Sequence, residues 1–148
     1  MNREVSLKDL FPLIDEQLKE GGFTVFAVHG TSMQPFLKDR ESKVRLEKPK
    51  EAPKKYDVIF YTRPDGSFIL HRIVGIKDGG FVCRGDNQTE NEFSVSFDRV
   101  IAILTQYDRK GIWRSMDGLS QRIFARFWVN TVLFRKITRK IISFLRRK

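Results

Sequence analysis

Residues 56–76 have the sequence YDVIFYTRPDGSFILHRIVGI, in which two apolar runs flank a turn signal. Residues 56–62 and 68–76 are rich in β-branched and aromatic side chains, which favour strands. Between them lie Pro64, Asp65 and Gly66, residue types that are typical of tight turns. The stretch therefore predicts a β-hairpin.

Similar short segments continue on both sides of this hairpin. Further strands are predicted at 23–28, around Val44 and Leu46, at 81–83 and at 100–107, with a polar loop at 88–98. Repeated short strands joined by glycine-containing turns predict a mainly β, antiparallel and partly closed barrel-like fold. We divide the chain into an N-terminal helix at 1–21, a β domain at 22–110 and a basic helical tail at 111–148.

The N-terminal helix is predicted from a start and a stop signal. Ser6 can cap a helix, apolar residues follow at helical spacing, and Gly21 and Gly22 end the run. This segment lacks the basic and apolar regions of a secretory signal. The longest uncharged run, 21–37, contains a histidine, three glycines and a proline, so it does not predict a membrane span. We therefore expect a cytosolic protein, with which the single cysteine, Cys83, agrees.

Ser32 is the first candidate for chemistry. It lies in GTSMQP, residues 30–35, directly after an apolar strand. Gly30 permits a sharp turn, and Pro35 restricts the backbone after the serine, so Ser32 is predicted to sit on a rigid bend. Rigid placement suits a nucleophile, but a serine hydroxyl also needs a base to take its proton.

His71 is the preferred base. The chain contains two histidines, and His71 shares one face of a predicted strand with Ile69 and Ile73. Burial among aliphatic side chains lowers a histidine pKa and keeps the imidazole neutral at pH 7. His29 is the alternative, but it is only three residues from Ser32 and is too local to be favoured.

Four ordered motifs resemble those of a known superfamily. They are GTSMQP at 30–35, YDVIF at 56–60, HRIVG at 71–75 and GDN at 85–87. In this order they resemble the signal peptidase I / LexA-type serine peptidase superfamily over about residues 22–106. Histidine followed by arginine at 71–72 is similar to the pattern of the endoplasmic reticulum, archaeal and sporulation-type branch. Bacterial signal peptidases usually carry lysine as the base instead.

The resemblance implies a peptidase fold and a set of roles. Ser32 would attack the peptide carbonyl, His71 would transfer the proton, and Asp86 would orient the imidazole by accepting its second N–H. Asp98 is the other candidate for that orienting role, and Asp86 could instead form only a local turn. The oxyanion would be held by the backbone N–H of Ser32, with Thr31 as a further donor. The substrate would be an extended peptide or preprotein with small side chains near the cut.

Two departures from the family pattern bear on the substrate. No N-terminal membrane anchor is expected, and Tyr56 stands where a glycine often precedes the aspartate. A cytosolic peptide is therefore as consistent with the sequence as an exported preprotein. A self-cleaving LexA-type regulator is a rival, but the chain has no Ala-Gly or Cys-Gly dipeptide of the kind such proteins cut.

The sequence predicts no metal or cofactor. The two histidines and Cys83 are far apart, and the carboxylates are scattered, so no metal-ligand spacing is present. Neither a phosphate-binding loop nor a dinucleotide fingerprint occurs. Cys83 is expected to be a small buried residue.

The positive charge is concentrated in the tail. Residues 112–148 contain ten Lys or Arg and one acidic residue, a net charge of +9 out of +10 for the chain. We predict one or two amphipathic helices here that lie on an anionic membrane surface. The alternative is that their apolar face packs on the β domain, and nucleic acid is a weaker third choice. If the tail carries the whole function, the chain is a non-catalytic β module.

Overall fold

The computed structural model describes residues 6–147, which form three α-helices and eight β-strands. Residues 1–5 of the predicted N-terminal helix and Lys148 of the tail lie outside the described residues. In chain order the elements are α1 (Leu7–Lys19), β1 (Phe23–Ala27), β2 (Lys43–Glu47), β3 (Val58–Thr62), β4 (Phe68–Lys77), β5 (Gly80–Arg84), β6 (Glu92–Val95), a short 3-10 helix (Phe97–Arg99), β7 (Val100–Arg109), β8 (Ile112–Ser115), α2 (Leu119–Asn130) and α3 (Val132–Arg146).

The eight strands form one antiparallel sheet. Its hydrogen-bonded order is β1-β2-β7-β3-β4-β5-β6, and β8 pairs with β7 beside that path. The predicted mainly β architecture with flanking helices is confirmed. Within residues 6–147 the ladder ends at β1 and β6 without joining them, so the sheet is not closed into a barrel. Closure depends on the stagger between distant strands, which an apolar pattern within each strand does not encode.

The predicted hairpin is the centre of the sheet. β3 pairs with β4 from Val58↔Arg72 to Thr62↔Phe68. At its turn, the Arg63 N–H donates to the Ser67 carbonyl at 2.9 Å. Because side chains alternate, the hairpin contributes to two apolar clusters on opposite faces.

The larger cluster contains Val58 and Phe60 with the buried side of α1 and the turn after β1. The smaller cluster contains Ile59, Tyr61 and Ile73 with side chains from β5 and β6. His71 shares the face of Ile73, whereas the neighbouring Arg72 lies on the opposite face.

The N-terminal helix has the predicted signals at both ends. The Ser6 hydroxyl oxygen accepts a hydrogen bond from the Lys8 N–H at 3.2 Å. Gly21 adopts φ +79°, and the Gly22 N–H donates to the Gln17 carbonyl at 3.0 Å. These contacts confirm the predicted helix start and stop over the described residues.

Two predictions of local structure are wrong. Residues 92–95, expected in a polar loop, form edge strand β6. Residues 112–115, expected to begin a helix, form β8, which pairs with β7 from Gln106↔Ser115 to Arg109↔Ile112. Lys110 and Gly111 connect these strands at φ +56° and +80°, a two-residue turn of the kind that favours hairpins. The sheet therefore extends past the predicted domain boundary at residue 110.

The two tail helices differ in how they pack. α2 buries Gln121, Ala125 and Val129, and Phe124 packs against the larger cluster. α3 has no buried residue. No helix within residues 6–147 has both the length and the hydrophobicity that crossing a membrane requires.

Candidate active site

The turn that carries Ser32 is anchored on both sides. Gly30 adopts φ +92°, and its N–H donates to Asp39 Oδ1 at 2.8 Å. Met33, Phe36 and Leu37 are buried in the larger cluster, while Ser32 itself is half-buried. The apolar side chains that follow Ser32 therefore fix the turn and leave the serine near the surface.

The Ser32 turn packs on the GDN turn, residues 85–87, which follows β5. The Asn87 N–H donates to the Ser32 carbonyl at 2.8 Å, and Asn87 Nδ2 donates to the Thr31 carbonyl at 3.1 Å. A Cβ added to Gly85 would lie 2.5 Å from the Ser32 carbonyl oxygen. Only glycine permits this approach.

Strand register places His71 beside the same glycine. β4 pairs with β5 at Arg72↔Arg84 and Ile73↔Cys83. Continuing this antiparallel register by one residue sets Gly85 opposite His71, and directly opposed residues project to the same face of a sheet. The Ser32 carbonyl lies where a Gly85 side chain would be. By this extension of the register beyond the end of β5, the Ser32 carbonyl lies on the face of the sheet to which His71 projects.

The imidazole of His71 forms no hydrogen bond with any group in residues 6–147. Its Nδ1 atom is enclosed without a partner, whereas Nε2 is not among the enclosed unpaired atoms. No hydrogen bond joins Ser32 Oγ to the imidazole in this part of the chain. Catalytic hydrogen bonds are often long or poorly aligned until substrate is bound.

Burial dominates the electrostatics of His71. The pKa of the imidazole is lowered to about 4, mainly by burial and then by the Arg63 charge. The carboxylates of Glu92 and Asp86 act in the opposite direction and raise this pKa. The predicted direction of the shift is confirmed, and the imidazole is neutral at pH 7.

Asp86 has a different partner from the one predicted. Both its oxygens accept hydrogen bonds from Arg72, Oδ1 from Nε at 2.8 Å and Oδ2 from Nη2 at 2.7 Å. Arg72 Nη1 also donates to the Tyr56 carbonyl at 3.0 Å, and the Arg72–Asp86 pair is buried. Because adjacent strand residues face opposite ways, Asp86 binds the residue after His71 rather than His71 itself.

Asp98, the other candidate for orienting His71, is also occupied elsewhere. It lies exposed in the 3-10 helix and accepts a hydrogen bond from Ser96 Oγ. His29, the alternative base, is exposed just beyond β1. Neither residue contacts His71 by a hydrogen bond in the part of the chain that is described.

Glu92 is the carboxylate on the His71 face, and the sequence did not reveal it. Glu92 pairs with Cys83, which pairs with Ile73, so the three residues share the face of His71. Its carboxylate accepts hydrogen bonds from Tyr61 Oη at 2.6 Å and from Arg63 at 2.8 and 2.9 Å. The bonds from Arg63 lower the pKa of Glu92, so it is an anion at pH 7.

The tail helices bind the GDN turn through polar side chains. Trp128 Nε1 and Arg135 Nη1 donate to the Asp86 carbonyl at 2.6 and 2.8 Å. Arg139 Nη2 donates to the Asn87 carbonyl at 2.8 Å and to Asn87 Oδ1 at 2.9 Å. Side chains of α2 and α3 thus hold the GDN turn, which in turn supports the Ser32 turn. The sequence did not predict these contacts.

Two open clefts of about 640 Å³ each lie on either side of the Arg139–Asn87 contact. One is lined by Gln34 and Pro35 of the Ser32 turn, and the other by Arg63 and Glu92. Ser32 and His71 line neither cleft, so the clefts border the candidate residues without containing them.

Cys83 and the clustering of metal-ligating side chains were the remaining places where a second reactive site could form in the described part of the chain, and neither provides one. Burial raises the pKa of the Cys83 thiol to about 12, which keeps it protonated. Within residues 6–147 no cluster of three or more His, Cys, Asp or Glu is arranged to hold a metal ion.

Glu92 thus lies on the face of His71, and the Ser32 carbonyl packs against Gly85, which follows β5. Neither the scan against protein-family models nor the search of curated proteins found a match for this chain. Its function must therefore be inferred from its own residues.

Proposed function

We propose that this protein is a serine endopeptidase in which Ser32 is the nucleophile and His71 the general base. The observation that carries the proposal is the packing of the Ser32 carbonyl against Gly85, opposite His71 in the extended strand register. The order of the four motifs resembles that of the signal peptidase superfamily, whose members have a barrel-like peptidase fold. This resemblance supports the same assignment.

In the first step, the Ser32 hydroxyl attacks the substrate carbonyl carbon while His71 accepts its proton. Collapse of the tetrahedral intermediate breaks the C–N bond, and the imidazolium returns that proton to the leaving amine. Water then attacks the acyl-enzyme with His71 again as the base, releasing the carboxylic acid and restoring the Ser32 hydroxyl. Nε2 is the suitable nitrogen, because Nδ1 is enclosed.

Backbone N–H groups in the Ser32 turn are available for the oxyanion. Within residues 6–147, neither the Ser32 nor the Met33 N–H donates a hydrogen bond. A preorganised donor of this kind contributes about 3 to 4 kcal/mol to stabilising the transition state. Gly30 supplies no side-chain donor, so backbone groups take this role.

The low pKa of His71 requires that the protonated imidazole be stabilised during the reaction. Its environment keeps the base form populated at neutral pH, but the same burial opposes proton uptake. Glu92 supplies a negative charge on the His71 face, which the bound Arg63 guanidinium offsets. We therefore assign Glu92 as an electrostatic positioning residue that acts through His71.

The sheet has a free edge next to the Ser32 turn. β1 pairs on one side with β2, and its other side has no strand partner within residues 6–147. Because β1 leads through Val28 directly into the Ser32 turn, a peptide added along this edge would run towards the nucleophile. The proposed substrate is an extended peptide with small side chains at the cleavage position.

A peptide library assayed with matched variants tests the proposal. The full chain should cleave extended peptides, and Ser32→Ala and His71→Gln should each reduce kcat by about 10³-fold or more. The kcat of the double variant should be no lower than that of the less active single variant, because the two residues act as a unit. Ser67→Ala, which removes a hydroxyl from the β3–β4 turn, should leave cleavage unchanged. Cleavage that survives Ser32→Ala would contradict the proposal, and absence of cleavage with every peptide would favour a non-catalytic β module.

A further inference from the structure

Helix α3 is amphipathic but presents its polar side to the domain. Arg135 and Arg139 bind the GDN turn, and Lys136 pairs with Glu90 at 3.2 Å. An amphipathic surface helix normally buries its apolar face against the core. α3 instead has no buried residue, and large side chains on its apolar face are exposed.

The uncovered face is continuous. Five of its side chains are between 53% and 70% exposed: Leu133, Phe134, Ile137, Ile141 and Leu145. At 100° per residue they occupy about 120° of the helix circumference. Arg135 and Arg139 fall outside this arc, on the side that contacts the domain.

Helix α2 adds a second exposed apolar stripe on the side opposite its buried residues. Leu119, Ile123 and Phe127 follow at intervals of four residues and are each at least 60% exposed. The exposed Arg122 and Arg126 lie in the same helix. Large exposed apolar areas mark an interaction surface.

We propose that α3, with the exposed stripe of α2, docks on an anionic lipid surface. The apolar face would lie at the boundary between headgroups and acyl chains, and the tail's basic side chains would contact anionic headgroups. The charge of the tail favours lipid over a second copy of this chain. Two copies would bring together tails of +9 each, which repel one another. An anionic membrane neutralises that charge and buries the apolar face, whereas nucleic acid would leave the face exposed.

Docking would also position the candidate active site. The side of α3 opposite the lipid binds Asp86 and Asn87, which support the Ser32 turn. The docking itself does not depend on whether Ser32 is a nucleophile.

Single fluorescent labels on the two sides of α3 test this surface. Ile137→Cys places a label on the apolar face, and Ser143→Cys is the control on the polar face of the same helix. Cys83 is fully buried with a pKa raised to about 12, so each variant carries one reactive thiol. With phosphatidylglycerol-containing vesicles, the label at 137 should shift to the blue and the label at 143 should not. Salt should weaken the shift, and pure phosphatidylcholine vesicles should not produce it.

Vesicle flotation of the full chain gives an independent measure of binding. Combining Phe134→Ser, Ile137→Ser and Ile141→Ser should weaken binding by about 100-fold or more, because three apolar side chains leave the interface. The matched control removes three exposed apolar side chains elsewhere, with Leu13→Ser, Ile76→Ser and Phe93→Ser, and should float as the unmodified chain does.

Four results would overturn the proposal. The first is equal flotation of the two triple variants, and the second is no blue shift, or equal shifts, at positions 137 and 143. The third is a blue shift at 137 without vesicles, accompanied by dimerisation, which would identify a second copy as the occupant. Binding of an oligonucleotide in preference to anionic vesicles would likewise exclude lipid as the partner.

Discussion

Gly85 and Ser32 are in contact through backbone atoms, and a Cβ on Gly85 would lie 2.5 Å from the Ser32 carbonyl oxygen. Gly85 is not among the glycines with positive φ, so the need for glycine here is steric. The same residue follows Arg84, the partner of Arg72 in the β4–β5 ladder. One small residue thus allows the Ser32 turn to approach the strand that carries His71.

Gly85→Ala should displace the Ser32 turn. The added methyl group would meet a backbone carbonyl, which cannot move without shifting the turn, so we expect a loss of about 1 to 3 kcal/mol in the free energy of unfolding. Peptide cleavage by the folded variant should also be reduced, because the displaced turn carries Ser32. Gly75→Ala is the control, because a Cβ there would lie 3.8 Å from Val82 Cβ, an ordinary contact. Urea unfolding and peptide cleavage measure both effects, and equal behaviour of the two variants would refute the steric role.

The pH dependence of cleavage should follow the imidazole of His71. Only the neutral form accepts the Ser32 proton, so kcat/KM should rise with pH through a midpoint near 4 and level off below neutrality. Glu92→Gln should move the midpoint lower, because the Glu92 carboxylate raises the pKa of His71. A rate that still climbs above about pH 9 would indicate a lysine base instead, since lysine titrates near 10.4.

Stability should also depend on His71 protonation. The folded pKa is about 4 and the unfolded value about 6.5, so between these values the unfolded chain binds the extra proton. The free energy of unfolding should therefore fall as pH falls from 6.5 to 4, by about 3 kcal/mol at most. His71→Gln should remove this component of the slope in urea titrations at several pH values. An unchanged slope would show that the imidazole is not buried as described.

The buried Arg72–Asp86 pair should be structural. Arg72→Met leaves the Asp86 carboxylate buried without a counter-charge, which should cost about 3 to 5 kcal/mol in the free energy of unfolding. Arg72→Met combined with Asp86→Leu should cost less than the two single changes together. If Asp86 oriented His71, Asp86→Asn would lower kcat by orders of magnitude in protein that remains folded. We expect only a small downward shift of the pH midpoint.

Much of the fold follows from local sequence signals, but the sheet's edges do not. The β3–β4 hairpin is encoded by Pro64, Asp65 and Gly66 between two apolar runs, and the structure has it there. The pattern does not predict β6, because Glu92 and Ser94 make this short segment polar and its stability depends on pairing with β5. The pattern does not predict β8, because its apolar residues also fit a helical period and the turn that starts it depends on positive φ at Lys110 and Gly111.

The candidate site could be predicted only in part. Ser32 and His71 stand out as residue types in distinctive local contexts, and the burial of His71 follows from its aliphatic neighbours. Charge partners depend on which residues the strand register brings together. Asp86 therefore binds Arg72, and Glu92, on a strand that the pattern did not predict, is the carboxylate on the His71 face.

The most direct test of Ser32 as an activated nucleophile is covalent labelling with a fluorophosphonate, read by tandem mass spectrometry of the full chain. Phosphonylation should occur at Ser32 above about pH 5, where His71 is neutral. It should be lost in Ser32→Ala and strongly reduced in His71→Gln, while Ser67→Ala should label as the unmodified chain does. A peptide boronate that forms a reversible adduct at Ser32 would give the same result under non-destructive conditions. Failure of both reagents to modify Ser32, or modification that is undiminished in His71→Gln, would contradict the proposed Ser32–His71 mechanism.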